Sequence, residues 1–430
     1  MGGRASIVLV LGFAIILGYI SISLNSYSTS AVTNMTSYVE GTASHSLALA
    51  GVNAGLSKLY QDTTWDGVMA QTLDDRNIPG SFTTSLHDLG GYRKMLRSVS
   101  TFGSWSTGML HDTIEVTFNT RRLNSLSMYA WMTNNTGNVF WSDGDTVWGR
   151  AHSNGNVHIS GSPVFMDKST SSKHFDPPTV GKGTNMAIFK NGYETGVAPV
   201  AMPPDLSDLI AASLSGGRRY IHDIEVTVTA GTAANNDGVG MVKDLATGVI
   251  DTFNLSGGGF NGVILGLADV SVKGVVDGAI SIVALQNIRV TDDIVYERNP
   301  RFGTSDDLLG LIAENDITIS DNIPNHTNCE IHACILARDG SMVAEDLSSL
   351  PICGQLHTLG SIIQNTEQEV GLYKAKGSGK PELTNGFAKD FRYDARLSDP
   401  SFRPPFFPGF YVKAYAISNW WESYRVSSPW

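Results

Sequence analysis

His152 stands directly beside a hydroxyl nucleophile, Ser153. Such a pair could support acyl transfer if the imidazole took the hydroxyl proton. Neighbouring residues of a strand point to opposite faces, so these two side chains could not hydrogen-bond there. The following Asn154-Gly155 favours a tight hairpin turn, with His152 bonded to backbone. The sequence therefore predicts no catalytic residue at this position.

Thiols and imidazoles, the ligands that zinc prefers, form a second set: Cys329, His332, Cys334, Cys353 and His357. His332 and Cys334 share one face of a strand, whereas Cys329 does not. Neither a C-x₂-C nor an H-x₃₋₅-H spacing of a structural zinc site occurs. We therefore expect no metal and no cofactor. A disulfide, between Cys334 and Cys353 on neighbouring strands, suits an exported protein better.

Paired acids are the third candidate, at Asp292-Asp293 and Asp306-Asp307. Two carboxylates could serve a glycosidase or polysaccharide lyase, and they could equally bind calcium. Acids at the corners of β structure are commonly solvated turn residues, and fold analogy alone does not assign chemistry. The sequence favours a protein that is not an enzyme, with a carbohydrate-active enzyme as the alternative.

The composition excludes one class of partner. The 430 residues include 17% charged residues and carry a formal net charge of −11. No basic tract is longer than Arg121-Arg122 or Arg218-Arg219. Nucleic acid is therefore not expected as a partner.

The N-terminus lacks charge, since no Asp, Glu, Lys or Arg occurs from Ala5 to Val39. Ala5 to Leu24 is apolar and long enough to span a bilayer as a helix. Arg4 precedes this run, so the positive-inside rule predicts a cytoplasmic N-terminus with the bulk of the chain outside. The predicted anchor residues are Ile7, Val8, Leu9, Val10, Leu11, Phe13, Ile15, Ile16, Leu17, Tyr19 and Ile20.

A cleaved secretory signal is the competing interpretation of this run. The apolar stretch exceeds a usual signal core, and helical spacing of apolar residues continues to Leu59 without a proline. We therefore predict one helix from about Ala5 to Leu59. A plain single-span anchor carrying an exported domain also fits the pattern.

Beyond residue 62 the sequence changes to short β-type runs separated by Gly, Asn and Asp. Ile114–Phe118 and Ile224–Val228 alternate apolar and polar residues, as half-buried strands do. A weak repeat aligns residues 287–294 with 316–323, and similar runs follow at 331–337 and 356–362. Strands recurring with Asn, Asp and Gly corners are typical of a parallel β-helix, and a β-sandwich is the second choice.

The predicted fold is mainly β, a parallel β-helix or sandwich-like exported domain, with one long N-terminal α-helix that spans the membrane in its first half. Three segments are expected: the helix at 1–62, a β-rich domain at 63–255, and a repeat region with an aromatic cap at 256–430. Aromatic residues concentrate in two groups, which fill the core or, where exposed, bind sugars or proteins. They are Trp131, Trp141 and Trp148, then Phe406, Phe407, Phe410, Tyr411, Tyr415, Trp420 and Trp421.

The small-residue stretch 43–56, which follows the apolar run, resembles the corresponding segment of minor pilins and type II secretion pseudopilins. By that resemblance, Gly2 and Gly3 supply the glycine after which a prepilin peptidase cuts a short leader. The major subunits of the family carry a glutamate near the start of the apolar run, whereas the first glutamate here is Glu40. The resemblance therefore implies a minor, tip-like or permanently anchored subunit.

The stretch 149–165 resembles an element of an exported bacterial domain found behind pilin-like N-termini. Further matches to that domain lie at 304–310, 393–396, 404–408 and 420–422. The resemblance implies where the chain is placed, at the cell surface, and assigns it no chemistry.

We therefore expect a structural, assembly or adhesive surface protein of the type IV pilus and type II secretion filament class. The expected partners are the membrane, through the N-terminal helix, and like or related pilin subunits with their pilus or secretion machinery. A surface polysaccharide or a host-cell ligand is a further expected partner. The expected location is the bacterial inner membrane before assembly, and then the cell surface or an extracellular filament.

Overall fold

A computed structural model describes residues 2–62, 65–75, 78–90, 92–104, 108–142, 144–176, 186–231, 237–375, 381–399 and 401–423. The chain is mainly β with one long N-terminal helix, as the sequence predicts. The helices are α1 Gly2–Gln61 and α2 Ser207–Leu214, and short 3₁₀ turns lie at Leu126–Met128, Pro324–His326 and Ala395–Ser398.

The strands in chain order are β1 Val68–Asp75, β2 Ile78–Gly90, β3 Arg93–Ser104, β4 Gly108–Ser125, β5 Trp131–Asn135, β6 Phe140–Ser142, β7 Thr146–Trp148, β8 Ala151–Ser153, β9 Val157–Ser160, β10 Val164–Phe165, β11 Ser169–Ser171, β12 Phe175–Asp176, β13 Ile188–Phe189, β14 Tyr193–Thr195, β15 Arg218–Tyr220, β16 Ile224–Thr229, β17 Val239–Asp244, β18 Ile250–Asn254, β19 Val263–Gly266, β20 Val270–Val276, β21 Ala279–Ala284, β22 Ile288–Tyr296, β23 Leu308–Ala313, β24 Ile317–Ile319, β25 Cys329–Ala337, β26 Met342–Ala344, β27 Ile352–Thr366, β28 Gly371–Ala375, β29 Pro381–Tyr393 and β30 Gly409–Glu422.

Two compact units divide the chain differently from the three predicted segments. The helix–sheet unit combines residues 1–122 with 411–430, and the coil-stack unit is 123–410. The Gly-rich run at 256–259, where the third predicted segment begins, is a corner between β18 and β19. The Gly257 and Phe260 amides donate there to the carbonyls of Asn254 and Gly257 at 3.1 Å each. That corner lies inside the second unit and separates no domains.

In the helix–sheet unit, the second half of α1 packs on a sheet with strand order β1-β2-β3-β4-β30. Strands β1 to β4 pair antiparallel in sequence. Ile114, Val116 and Phe118 of β4 are fully buried and alternate with partly exposed residues. They join Ala48 and Val52 of the helix in one core. The predicted alternating strand is therefore present, with its apolar face turned to the helix.

The helix approaches the sheet closely because glycine faces it. A Cβ on Gly51 would collide with Ser98 Oγ and would lie 2.8 Å from Phe82. A Cβ on Gly55 would lie 2.8 Å from Thr84 and 2.9 Å from Leu96. The Thr84 hydroxyl donates a 3.0 Å hydrogen bond to the Gly51 carbonyl. The small residues of 43–56 therefore serve close packing within the unit.

Parallel stacking of short strands builds the coil-stack unit. One stack runs β15, β19, β21, β23, β25, β27, β5, β8, β11, β14, with every neighbouring pair parallel. A second stack runs β16, β20, β22, β24, β26. A third runs β22, β25, β27, β29, β7, β10, β13. Of the two architectures left open by the sequence, this pairing favours the β-helix.

Buried aliphatic residues form columns through the coils. Ile224, Val270, Ile288, Ile317 and Met342 pair in register from one strand to the next. All five are buried. The pairing of Ile288 with Ile317 has the 29-residue shift of the predicted repeat, which is therefore the register of two successive coils.

An asparagine ladder marks one corner of the stack. The amide of Asn134 donates to Asn365 Oδ1 at 2.9 Å, and the amide of Asn154 donates to Asn134 Oδ1 at 2.9 Å. Stacked amides satisfy one another from coil to coil. The predicted hairpin at Asn154-Gly155 was wrong: β8 pairs with β5 and β11, and Asn154 occupies a corner between coils.

The chain enters the stack in its middle. β5 follows the helix–sheet unit directly, yet it pairs with β27 from the far end of the sequence. The strands from β8 to β14 stack on β5, away from β27. Residues 197–206 then lead the chain back along the stack to α2 and β15. This strap bonds to Ser171 at Val197, to Asn154 at Val200 and, through the carbonyl of Pro204, to Arg338. It therefore ties the two halves of the stack together.

A buried acid, Glu367, faces a partly buried base, Lys389, in the coil-stack unit. Lys389 Nζ is 3.8 Å from Glu367 Oε1 and 5.0 Å from the ring centre of Trp141. Glu367 Oε2 is buried and has no hydrogen-bond partner among the described residues. Burial raises the pKa of Glu367 to about 8, with Asp145 adding to the rise and Lys389 opposing it. At neutral pH the carboxyl is therefore mostly protonated, which lowers the cost of burying it.

We expect Gly51→Ala to destabilise the helix–sheet unit by about 1–3 kcal/mol, because the added methyl overpacks the helix against β2 and β3. The matched control is Gly41→Ala on the same helix, where an added Cβ meets nothing within 4 Å. That change should be neutral or stabilise by about 0.5–1 kcal/mol, the helix propensity of alanine over glycine. Thermal unfolding of the full chain in detergent, followed by far-UV circular dichroism, compares them; equal midpoints would contradict the packing described.

We expect Glu367→Gln to remove a pH dependence of stability. A carboxyl whose pKa is higher in the folded than in the unfolded state does not lower the free energy of unfolding at a pH below its unfolded pKa. As the pH rises from the unfolded pKa to the folded pKa, the free energy of unfolding falls. The wild type should therefore lose stability between about pH 4.5 and pH 8 relative to the variant, by on the order of 4 kcal/mol. Denaturant unfolding across this range measures the difference, with Glu369→Gln at an exposed neighbouring position as control. Parallel pH profiles for wild type and Glu367→Gln would refute it.

Candidate functional site

The first half of α1 exposes its apolar side chains. All eleven predicted anchor residues are solvent-exposed, from 45% at Ile20 to 73% at Tyr19. They are Ile7, Val8, Leu9, Val10, Leu11, Phe13, Ile15, Ile16, Leu17, Tyr19 and Ile20. Among the described residues, α1 is the one helix long and apolar enough to cross a membrane, and none of its most apolar window is buried.

Leaving such side chains in water is costly. Each large apolar side chain forgoes about 1.5–3 kcal/mol when it stays hydrated instead of buried. Eleven of them together forgo more than about 15 kcal/mol, which exceeds the whole folding stability of many domains. This surface therefore suits an apolar environment such as a lipid bilayer.

Polar contacts fix the second half of α1 on its sheet. His45 Nδ1 lies 2.8 Å from Asp112 Oδ2 of β4, and the Ser44 hydroxyl lies 2.9 Å from that of Ser100 on β3. The Ser423 hydroxyl donates to Asp112 Oδ1 at 2.9 Å. The helix, β4 and the end of β30 therefore meet at one carboxylate. With its second half held, the apolar first half extends beyond the sheet.

His152 is placed for structure and not for acyl transfer. Its Nδ1 lies 2.8 Å from Thr170 Oγ1 and its Nε2 lies 2.8 Å from Asn154 Oδ1. The imidazole therefore bonds to side chains, whereas the sequence predicted bonds to backbone. Burial lowers its pKa and keeps it neutral. Ser153 Oγ accepts from the Gly155 amide at 3.0 Å. Histidine and serine therefore make separate contacts at the asparagine corner.

The cysteines are buried free thiols. Cys334 pairs in register with Ser361 of β27, whereas Cys353 lies eight residues earlier on that strand. At about 3.3 Å per residue, this spacing separates the two far beyond disulfide reach. The predicted pair Cys334–Cys353 is therefore not formed. Within the described part of the chain, no cluster of three or more His, Cys, Asp or Glu side chains could hold a metal.

The paired acids hold loops together. Asp307 is buried, and its carboxylate accepts from the amides of Gly278 at 2.9 Å and Arg298 at 3.1 Å and from the Ser305 hydroxyl at 3.0 Å. Asp293 accepts from the Glu330 amide at 2.7 Å. These acids therefore act as turn and loop acceptors.

The two aromatic groups divide between core and surface. Trp131, Trp141, Phe407 and Phe410 are buried, whereas Trp148, Phe406, Trp420 and Trp421 are exposed. The side chains of Tyr411 and Tyr415 lie outside the described residues. Trp131 and Trp141 meet edge to face at 5.2 Å inside the coils.

A polar cavity on the coil stack was missed by the sequence reasoning. It has a volume of about 240 Å³, and Arg301, Glu330, His357, Asp390 and Arg392 contribute to its lining. From the sequence, His332 and His357 were considered only as candidate metal ligands. One sequence signal could have indicated the cavity. Glu330 and His332 are polar residues two positions apart in an otherwise apolar strand, so they share one face of it.

No protein-family model matches the chain, and no curated protein matches it in sequence. Among solved structures, the competence-associated pilin ComZ from Thermus thermophilus matches with a TM-score of 0.37 and 13% sequence identity. The match covers 89% of this chain and 98% of that chain. At that TM-score the match supports no conclusion about fold or function. The resemblance of 149–165 to an exported domain stays a prediction.

We expect the double substitution Ile15→Arg/Ile16→Arg to release the chain from membranes. Each arginine near the centre of a spanning helix costs about 2.5–3.5 kcal/mol on insertion scales. The control is Met35→Arg, an exposed position on the same helix beyond the apolar run. Resistance of the chain to carbonate extraction measures anchoring. Equal retention of all three chains in the membrane pellet would contradict a spanning role for this segment.

Proposed function

We propose that this chain is a non-enzymatic structural subunit of a pilin-like filament or secretion assembly. Its first helical half serves as membrane anchor and then as assembly surface, and the two β units lie outside the cytoplasm. The observation that carries the proposal is one continuous helix, α1, that is apolar and exposed in its first half and buried on an antiparallel sheet in its second.

The continuity of α1 is what distinguishes a subunit from a plain anchor. An anchor needs only a span and a linker, and a flexible linker would uncouple the membrane from the domain. Here 60 residues form one helix, and its second half is fixed by Gly51, Gly55 and the contacts to Asp112. A displacement of the membrane half is therefore transmitted rigidly to the sheet, which a helically packed filament requires.

The proposed partners are like or related subunits, met through the apolar half of α1, and the machinery that assembles them. Arg4 before the span favours a cytoplasmic N-terminus. The location proposed is the inner membrane before assembly and the cell surface afterwards. The carbohydrate-active alternative gains no support from Asp307, whose oxygens are occupied by loop donors.

We expect a cysteine at Tyr27 to cross-link subunits. Tyr27 is exposed on α1 just beyond the apolar run. The native thiols are buried, so a bismaleimide should react with the introduced cysteine. In the native host, Tyr27→Cys should give dimers and higher species on treatment of intact cells or sheared material. Ile323→Cys, an exposed position on the coil stack, is the matched control and should stay monomeric. Monomers only for Tyr27→Cys would favour a solitary anchor.

Mass spectrometry of the mature N-terminus separates the remaining alternatives. A methylated residue at position 3 or 4 would support cleavage at Gly2 or Gly3 and pilin-type processing. An intact Met1 would support a permanent anchor. A start near Ala31 would mean a cleaved secretory signal and would contradict the proposal.

A further inference from the structure

Three successive parallel strands place polar side chains in two rows on one face of the coil stack. Glu330 of β25, His357 of β27 and Asp390 of β29 pair in register across the strands. Two residues further along, His332, Leu359 and Arg392 form the next row. Neighbouring strands lie about 4.8 Å apart, so each row spans about 10 Å.

The cavity of about 240 Å³ lies over these rows. Asn299 and Arg301, from the turn after β22, complete its wall. Pockets that enclose drug-sized ligands measure about 300–1,000 Å³. This cavity therefore suits one small unit of a longer molecule.

One histidine fixes an acceptor at the edge of the cavity. His332 Nδ1 accepts from the Tyr296 amide at 3.1 Å, so its Nε2 carries the proton and donates to Glu330 Oε1 at 2.8 Å. Burial lowers the pKa of His332 and keeps it neutral. The other oxygen of Glu330 has no hydrogen-bond partner among the described residues. Glu330 is therefore oriented and ready to accept from a hydroxyl group.

The second histidine offers another acceptor. His357 Nδ1 lies 2.8 Å from Asp390 Oδ2, and Asp390 also accepts from Arg392 Nε at 2.9 and 3.2 Å. With Nδ1 directed at the carboxylate, Nε2 is the ring nitrogen left to bond a ligand hydroxyl. Nε2 has no partner within the described part of the chain.

Cationic groups supply the complementary half of the site. Arg301 is exposed and forms no ion pair with any described residue, and its guanidinium lies 5.7 Å from the ring centre of Phe302. Phe302 is 84% exposed and does not line the cavity. Arg392 bonds to Asp390 through Nε, and its guanidinium lies 5.5 Å from the ring centre of Trp148.

The arrangement calls for a ligand with both a carboxylate and hydroxyl groups. Inorganic phosphate would pair with Arg301 but would meet the Glu330 carboxylate as a like charge. A neutral sugar would satisfy Glu330 and His357 and leave the guanidinium unpaired. A uronic acid satisfies both sets, because one unit carries a carboxylate and several hydroxyl groups.

We propose that this cavity binds one uronic-acid unit of an acidic polysaccharide, with the sugar carboxylate on Arg301 and its hydroxyls on Glu330 and His357. This is a binding site with no reaction step. It goes beyond the assembly role and does not depend on it, since every lining residue belongs to the coil-stack unit.

Titration calorimetry with the full chain in detergent tests the site. The probes are a galacturonic-acid trisaccharide, the neutral galactose trisaccharide of the same linkage, and inorganic phosphate. We expect the acidic sugar to bind at least about tenfold more tightly than either other probe, as one charged hydrogen-bonded contact supplies. No binding of the acidic sugar, or equal binding of phosphate, would overturn the proposal.

Two variants locate the binding. Arg301→Gln should weaken the acidic sugar about tenfold, and Glu330→Gln should weaken both sugars. Arg298→Gln, on the same turn but paired with Glu297 at 3.2 Å and outside the cavity lining, is the matched control and should bind as wild type does. Equal loss in Arg298→Gln and Arg301→Gln would mean a general charge effect and would refute the site. The cross-linking of Tyr27→Cys tests assembly and does not depend on sugar binding. Failure of either proposal therefore leaves the other testable.

Discussion

The close approach of α1 to β2 and β3 is the contact on which the helix–sheet unit depends. At Gly51 and Gly55 no side chain separates the helix backbone from the sheet, and Thr84 bonds directly to the helix. Dispersion contacts weaken steeply with distance, so this proximity makes the packing strong over a short length of helix. Because the second half of α1 is held there, the unit does not need the exposed apolar first half to pack on its sheet.

The coil-stack unit depends on a different constraint, the register of parallel strands. Each buried column needs the residue of one coil to lie directly on that of the next, as from Ile288 to Ile317. The same register aligns the asparagine corner on the outside of the stack and the rows over Glu330, His357 and Asp390. The register of the parallel strands therefore determines the buried columns, the asparagine corner and the cavity.

Local patterns could be read from the sequence, and long-range placement could not. The helix was predicted at 5–59 and found at Gly2–Gln61, because uninterrupted helical spacing and the lack of proline are local signals. The 29-residue repeat was found for the same reason. The pairing of β5 with β27 was not predicted, since nothing near Trp131 indicates a partner more than 200 residues away. The disulfide failed likewise, because strand neighbours were known but their register was not.

The candidate site shows the same limit. The anchor residues were identified because a membrane span is a property of one continuous segment. The cavity needed three strands and a turn from separate parts of the chain, so its histidines were considered only for metal binding. The small residues at 43–56 suggested a resemblance to a family. The structure shows that they let α1 pack closely against β2 and β3.

The strap and the central entry of the chain set an order in which the strands can pair during synthesis. Coils β5 to β14 emerge early, but the strand that covers β5 is β27, near the end of the chain. The sheet on α1 likewise waits for β30. Until β27 and β30 are made, each unit therefore has an open strand edge, and unpaired edges are where chains associate wrongly. In a partly made chain, β5 and β4 are therefore the strand edges that are open to wrong association.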